Sequence, residues 1–350
     1  MLRLEARPEP SAAMRAATPF LAGLLTLLAG AALFASLGRN PVQVLTLIFI
    51  APLTSLNGLA ELLVKATPLI LMATGLAIGF RANIWNIGAE GQFTIGAVTG
   101  GSVALAAFPG GGPLLLPLMA LAGIAGGMAW AAIPAWLRTR YGANEILVSL
   151  MLVYVAVLLL GVLVHGPLRD PGSFNFPESL LFQKDATLPL LIAGTRAHVG
   201  FLAALVAVAC AYIVVGRHIF GFRTAVLGAA PAAARFAGIS EARMVWACFL
   251  LSGGLAGLAG LIEAAGPVGQ LVPSLPVGYG FTAIIVAFLG RLHPLGIVLA
   301  GFVMALTYLG GERAQIAMGL PSAAIALFQG ALLFVLLATD VLVHYRVRWR

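Results

Sequence analysis

Two long apolar runs, 62–80 and 87–108, meet at a polar, glycine-punctuated stretch, Phe80-Arg81-Ala82-Asn83-Ile84-Trp85-Asn86-Ile87-Gly88-Ala89-Glu90-Gly91-Gln92. In hydrocarbon an unpaired backbone group, or a carboxylate such as Glu90, costs several kcal/mol. Irregular polar backbone at that depth survives only where protein or a water-filled cavity surrounds it. The stretch therefore reads as part of a path for something polar. Composition sets the class around it: 9% charged residues and a mean hydropathy of +1.03 stand against the ~25% charge of a soluble domain. Forty-two Gly and twenty Pro suit helices that approach closely and break, as in a moving transporter.

Apolar runs of about twenty residues, the length a helix needs to cross a bilayer, fall at 20–37, 62–80, 87–108, 114–137, 146–165, 199–215, 245–265, 281–289, 295–309 and 323–342. The fold class expected is an all-α polytopic membrane protein with about ten transmembrane helices, some discontinuous. Segment 281–289 is too short to cross alone, so it borrows residues from the Tyr279 side or belongs to a broken helix. The run 42–53, closed by Pro52 and Asn57, is also short and reads as an interfacial helix on the outer side. With five spans per half, an internal repeat has inverted topology, and polar breaks in spans three and eight fit that arrangement.

With the N-terminus inside, ten crossings place fourteen of the twenty Lys and Arg inside, as the positive-inside rule requires. The net charge of +8 then needs no nucleic acid to explain it. The expected layout is a cytoplasmic tail 1–19, a permease domain 20–342 and a cytoplasmic basic tail 343–350, with both termini inside. A retained first helix fits the long polar lead better than a cleaved signal peptide. Cys210 and Cys248 lie in apolar runs and read as small buried hydrophobes outside any structural disulfide. Arg81 and Arg291 mark the inner membrane boundary.

Two excursions leave the membrane. The outer loop 166–197 carries mixed charge and several prolines. The inner stretch 216–243 contains Pro231 at a first helical turn, the helix formers Ala232 to Ala237, and Gly238 placed to end the helix. So short an Ala-rich helix is marginal alone. It packs on its own domain or docks a separate cytoplasmic subunit, and Phe236 with the arginines suits an interface.

Neither lysine, Lys65 or Lys184, lies in a Gly-Lys-Ser/Thr phosphate loop, so ATP hydrolysis belongs to another chain. No His-Glu-x-x-His or Gly-x-Ser-x-Gly pattern occurs, and the five scattered histidines form no sequence-local metal site. Nothing here argues for an enzyme.

Four ordered motifs carry a family resemblance: Asn86-Ile-Gly-Ala-Glu-Gly-Gln92, Leu227-Gly-Ala-Ala-Pro-Ala-Ala-Ala-Arg-Phe-Ala-Gly-Ile239, Ser252-Gly-Gly-Leu-Ala-Gly-Leu-Ala-Gly260, and the run from Gly278 to Gly296. Together the chain resembles permease subunits of bacterial ABC importers, in the branch that works with Bmp/Med-type lipoprotein receptors in nucleoside uptake. That branch is related to the ribose and branched-chain amino-acid permeases. The resemblance implies a multi-pass protein of the plasma (inner) membrane with three partners: a cytoplasmic ABC ATPase carrying ATP and Mg, a second, unlike permease, and a solute receptor. Gln92 is typical of the longer permease of such a pair. No cofactor is implied in this chain. Two departures are visible: the family's Gly-x-Asn-Pro reads Gly228-Ala229-Ala230-Pro231 here, and the acidic member of its Glu-Ala-Ala coupling pattern is absent.

The residues expected to couple to the ATPase are Arg223, Gly228, Pro231, Ala233, Arg235, Phe236 and Gly238. Those expected along the translocation path are Asn83, Asn86, Glu90, Gln92, Glu263, Gln270, Tyr279 and Phe281. Glu90 has an equal alternative, a carboxylate satisfying a helix N-terminus. Tyr279 and Phe281 either stack a flat base or anchor the interface as belt aromatics. The alternatives for the whole chain are an ATP-independent secondary carrier and a non-transporting scaffold; a simple sugar or riboflavin-like vitamin is the alternative solute.

Overall fold

The computed structural model describes residues 2–6, 12–174 and 176–349. Each of the ten apolar segments is helical. In chain order the helices are α1 (Ala12–Ser36), α2 (Pro41–Phe49), α3 (Leu56–Arg81), α4 (Ala89–Ala106), α5 (Leu115–Tyr141), α6 (Glu145–His165), α7 (Gly200–Arg217), α8 (Ile219–Ala229), α9 (Pro231–Phe236), α10 (Glu241–Glu263), α11 (Tyr279–Leu289), α12 (Pro294–Met318) and α13 (Ser322–His344). Among the described residues α3, α5, α6, α7, α10 and α12 are each long and apolar enough to cross a membrane. The chain is an all-α polytopic membrane protein.

Local chemistry sets the boundaries. Asn40 accepts from the N–H groups of Val42 and Gln43 with Pro41 at the first turn of α2. Asn144 caps α6 in the same way, and the Ser240 hydroxyl accepts from Arg243 N at the start of α10. These side chains satisfy donors that a helix N-terminus leaves free. The run 42–53 is short as expected, α2 followed by a 3-10 turn at Ala51–Thr54. Helix α12 runs past the predicted end at Leu309 to Met318, taking in Glu312 and Arg313.

The chain divides into two compact units. One comprises residues up to Leu62 and from Val303 onward. Its core packs Phe34 tilted against Phe328 at 5.7 Å between ring centroids and buries Val44, Ile48, Ala314 and Ile325 beside them. Arg313 donates to the Ala51 carbonyl oxygen at 2.8 Å. Two short terminal strands, β1 (Leu2–Ala6) and β2 (Tyr345–Trp349), pair antiparallel with Leu2 opposite Trp349 and Ala6 opposite Tyr345. The sequence reading treated both ends as simple tails, and began the first helix at residue 20 where α1 begins at Ala12. Backbone pairing between the two ends of a chain leaves no local pattern to read.

The second unit, Leu63–Phe302, is built on α10, packed between α4 and α5. Gly257 of α10 lies directly against the Gly123 carbonyl and Gly127, and Gly260 against the Phe93 carbonyl. Lipid tails are as apolar as side chains, so close packing and interhelical hydrogen bonds hold such helices together. The Thr99 hydroxyl supplies one such bond, donating to the Ala122 carbonyl at 2.9 Å.

Beyond Glu263, α10 ends in a π turn at Ala264–Val268. Irregular backbone then leads to α11, whose 11 residues span only roughly 16 Å of a ~30 Å core. This is the broken-helix form of the short eighth span. The loop 166–197 is tied across that break: Leu188 N donates to Ala265 O at 2.9 Å, Phe182 N to Gly269 O at 2.8 Å and Ser179 N to Leu271 O at 3.0 Å. One expectation fails. Cys248 is buried, but Cys210 is exposed on α7, because an apolar residue in a membrane span can face lipid as readily as protein.

Replacing Gly257 or Gly260 with Val forces α10 off α4 and α5 and is expected to cost about 3 kcal/mol or more, the upper range of overpacking. Thermal unfolding of detergent-solubilised protein is the check. Gly161, with open space where its Cβ would lie, should accept Ala with little change.

Candidate functional site

The break between α3 and α4 begins with a helix stop. Asn83 takes a left-handed φ of 56°, with its N–H donating to Phe80 O and Ile84 N donating to Gly79 O. This is the paired closure of a Schellman end, for which Asn is the usual substitute for Gly. The Asn83 side-chain oxygen accepts from Trp85 Nε1 at 2.8 Å. Asn83, expected on the path, is exposed and shapes the turn.

After an extended passage the chain re-enters helix at Ala89. Asn86 and Gln92 form a reciprocal amide pair at 2.9 and 3.0 Å, and Asn86 Nδ2 also donates to the Ser252 hydroxyl of α10 at 2.8 Å. Asn86 Oδ1 accepts from Gly88 N, and the Ser149 hydroxyl of α6 accepts from Ile87 N. The break thus carries its own hydrogen-bond partners, as membrane depth demands. Ser149 is not among the expected site residues, and Ser252 stands there only as the first residue of the glycine-run motif, with no polar role assigned.

Glu90 completes the arrangement. Its Oε1 accepts from Gly278 N at 2.7 Å and its Oε2 from Gly280 N. These are donors at the start of α11, whose N-terminus lies backbone to backbone against that of α4: a Cβ on Gly280 would collide with the Glu90 main chain. Only 2% exposed, the carboxyl accepts both bonds at the positive end of α11. Of the two readings of Glu90, the helix-terminus role is the one its contacts supply, although the helix capped is α11. Helices α4 and α11 thus meet by their N-termini.

Tyr279 is buried, its ring edge-on to Phe93 at 6.2 Å, with Lys65 Nζ of α3 5.8 Å from its centroid. Neither base stacking nor a belt position describes it. Lys65, a half-buried cation inside a span, was also missed as a path candidate, though an ionisable residue at that depth is a functional signal. Phe281 is exposed. Gln270 donates to Glu178 Oε2 of the loop 166–197 at 3.1 Å, and Glu263 is buried at the end of α10. The structure thus gathers Asn86, Glu90, Gln92 and Tyr279 into a packed junction and leaves Asn83, Gln270 and Phe281 apart from it.

The second candidate region is the stretch 216–243, nearly all of it helical as α8 and α9 where the sequence reading had one short helix. The His218 ring Nδ1 accepts from Phe220 N and caps α8. Gly228 lets α8 touch the carbonyl at the end of α3. Leu227 and Ala234 are buried against Ile78, Ala82, Val245 and Phe249, so this platform is anchored in the membrane unit. Pro231 opens α9, and Gly238, at φ 76°, closes it through Ile239 N to Ala234 O. Ala233, Arg223 and Phe236 face outward, Phe236 at 98% exposure. Arg235 pairs with Glu241 at 3.0 Å, and Arg138 of α5 reaches Glu145 at 2.5 Å and Glu241 at 3.5 Å.

His198 lies where the loop 166–197 leads into α7. It is buried, its Nδ1 accepting from Gly200 N, and burial lowers its pKa from 6.5 to about 4. The unfolded chain binds the proton first, so this contribution is intact above about pH 6.5 and is lost as pH falls towards 4. The melting temperature should accordingly be flat above neutrality and fall through that window, and His198→Asn should flatten the fall. Glu90→Gln forfeits the charge of the cap on α11 and should cost about 1–3 kcal/mol, read as a lower melting temperature in folded, monodisperse protein.

Residues 58–337 match the family described as branched-chain amino acid transport system, permease component. A glucose ABC transporter permease protein of Haloferax volcanii is 38% identical over 357 aligned positions, covering 99% of this chain and 93% of that protein. A guanosine ABC transporter permease protein of Bacillus subtilis is 29% identical over 87% of this chain and 88% of its own length. A nucleoside ABC transporter permease protein of Lactococcus lactis is 28% identical, covering 83% and 82%. No solved structure matches significantly.

Proposed function

The chain belongs to the family of branched-chain amino acid transport system permease components, and from that premise we propose that it forms half of the membrane pathway of a plasma-membrane importer. ATP is hydrolysed on a separate subunit and the solute carries a sugar ring, as a nucleoside or a free sugar. The relatives' names support that solute class, since glucose, guanosine and nucleosides share the ring. The observation that carries the ATPase-linked reading is the α8–α9 platform. An aromatic side chain at 98% exposure on a short helix fixed to the core by Leu227 and Ala234 is shaped to enter a pocket on another protein.

In this reading Arg223, Pro231, Ala233, Arg235, Phe236 and Gly238 form the docking face, and Gly228 holds it to α3. The outer loop 166–197 meets a solute receptor, a second, unlike permease completes the pore, and both termini lie in the cytoplasm. Nucleotide-driven motion of the platform opens the bundle alternately to the two sides. Solute passes when the junction of Asn86, Glu90, Gln92 and Tyr279 rearranges.

The test is uptake of labelled guanosine and labelled glucose in cells expressing the operon, with and without this chain, together with affinity purification of its partners. Dependence of either uptake on the chain, and co-purification of a phosphate-loop ATPase, are the expected results. Arg235→Glu and Gly238→Leu should each lower uptake at least about tenfold, the effect of losing ~1.4 kcal/mol at an interface, while the protein remains inserted. Normal uptake in both variants would remove the docking role from α9.

A further inference from the structure

Helix α7 is exposed over most of its length, and two features meet on it. Leu205, Ala209, Tyr212 and Ile213 recur at the spacing of one helix face. With Leu295 and Leu299 of α12 they wall an apolar groove of about 620 Å³. Where α7 ends, Arg81, Arg217 and His218 line a second cleft of about 570 Å³ beside Ile219 and Phe222, with no acidic residue in its lining. The two are joined by a short chain of contacts. Arg81 donates to the Leu292 carbonyl at 3.4 Å, and the next residue, His293, packs edge-on to Tyr212 with ring centroids 5.9 Å apart.

The charges in the cleft are available. Arg217 is exposed and has no ion-pair partner among the described residues. The His218 Nδ1 is taken by Phe220 N, which leaves Nε2 as the protonated nitrogen. A hydrocarbon groove that ends in a basic cleft, where a transmembrane helix leaves the membrane, matches an anionic lipid in both of its parts. Juxtamembrane arginines attract acidic headgroups, and an apolar groove at bilayer depth takes an acyl chain.

We propose that the α7–α12 groove and the Arg81–Arg217–His218 cleft together bind one anionic phospholipid, its acyl chain along Tyr212 and Leu299 and its phosphate at the arginines. The site goes beyond transport itself and does not depend on which solute is carried.

The experiment uses the full chain, purified with whatever subunits it retains, in nanodiscs of phosphatidylcholine containing a minor fraction of phosphatidylglycerol; retained lipid is counted by native mass spectrometry. The protein should keep phosphatidylglycerol in preference to phosphatidylcholine. Arg217→Gln, at an exposed position, should weaken that retention about fivefold, the effect of one arginine near an anionic surface. Ala209→Trp fills the groove and should abolish it with the arginines intact. A photoreactive residue at Leu299 should cross-link to lipid.

Equal retention of both lipids, unchanged by either variant, would overturn the proposal. So would cross-linking from Leu299 only to a protein chain, which would make the groove a subunit interface. Binding of inorganic phosphate at the cleft with no phosphatidylglycerol retained would make it a soluble-anion site and overturn it equally.

Discussion

A single carboxylate accepting from two backbone N–H groups holds the centre of the membrane unit together. Helices α4 and α11 both begin inside the bundle, and each start leaves donors that lipid cannot satisfy. Glu90 lies in the first turn of α4 and accepts from Gly278 and Gly280 at the start of α11. The carboxyl thereby caps α11 from the first turn of α4, and the register of α11 against α4 follows from it. Were α11 to shift, the carboxylate would be left buried with its donors gone, a state several kcal/mol uphill. The Asn86 side-chain oxygen and the Ser149 hydroxyl do the same for the incoming backbone, accepting from Gly88 N and Ile87 N, and Asn86 is itself held by Gln92 and Ser252.

Helix α10 connects this junction to both ends of the unit. Its first turn carries Glu241, paired with Arg235 of α9 and Arg138 of α5. Its middle is glycine packed on backbone, an arrangement with no soft side chains to absorb a displacement. Its far end loosens into the π turn and the irregular backbone that leads to Gly278. The platform that faces outward at Phe236 is in this way tied through one helix to the segment that Glu90 clamps.

The loop 166–197 closes the other end. Its backbone bonds to Ala265, Gly269 and Leu271 give strand-like partners to a stretch that has left helical geometry. His198, neutral by virtue of its burial, anchors the loop where α7 starts. A connecting segment with these bonds is a structural strap over the broken span, which explains how so irregular a passage between α10 and α11 stays ordered.

Much of this architecture was present in the sequence because some constraints act on one segment at a time. Bilayer thickness sets the length of most of the apolar runs, so the ten helical segments were readable before any contact was known. The cost of polar backbone in lipid marked 80–92 as exceptional. Pro231 and Gly238 delimited α9 through local backbone rules alone. Pairings are of another kind. The partners of Glu90 lie 188 and 190 residues away, Ser252 lies 166 residues from Asn86, and Cys210 faces outward while Cys248 faces in. Helices such as α4 and α10 are apolar on every side, so no polar face declares which surface meets a neighbour. The sequence by itself determined which segments form apolar helices and where they break; the tertiary structure alone decided which donors answer Glu90, because the orientation of a largely apolar helix is settled by packing between segments distant in the chain.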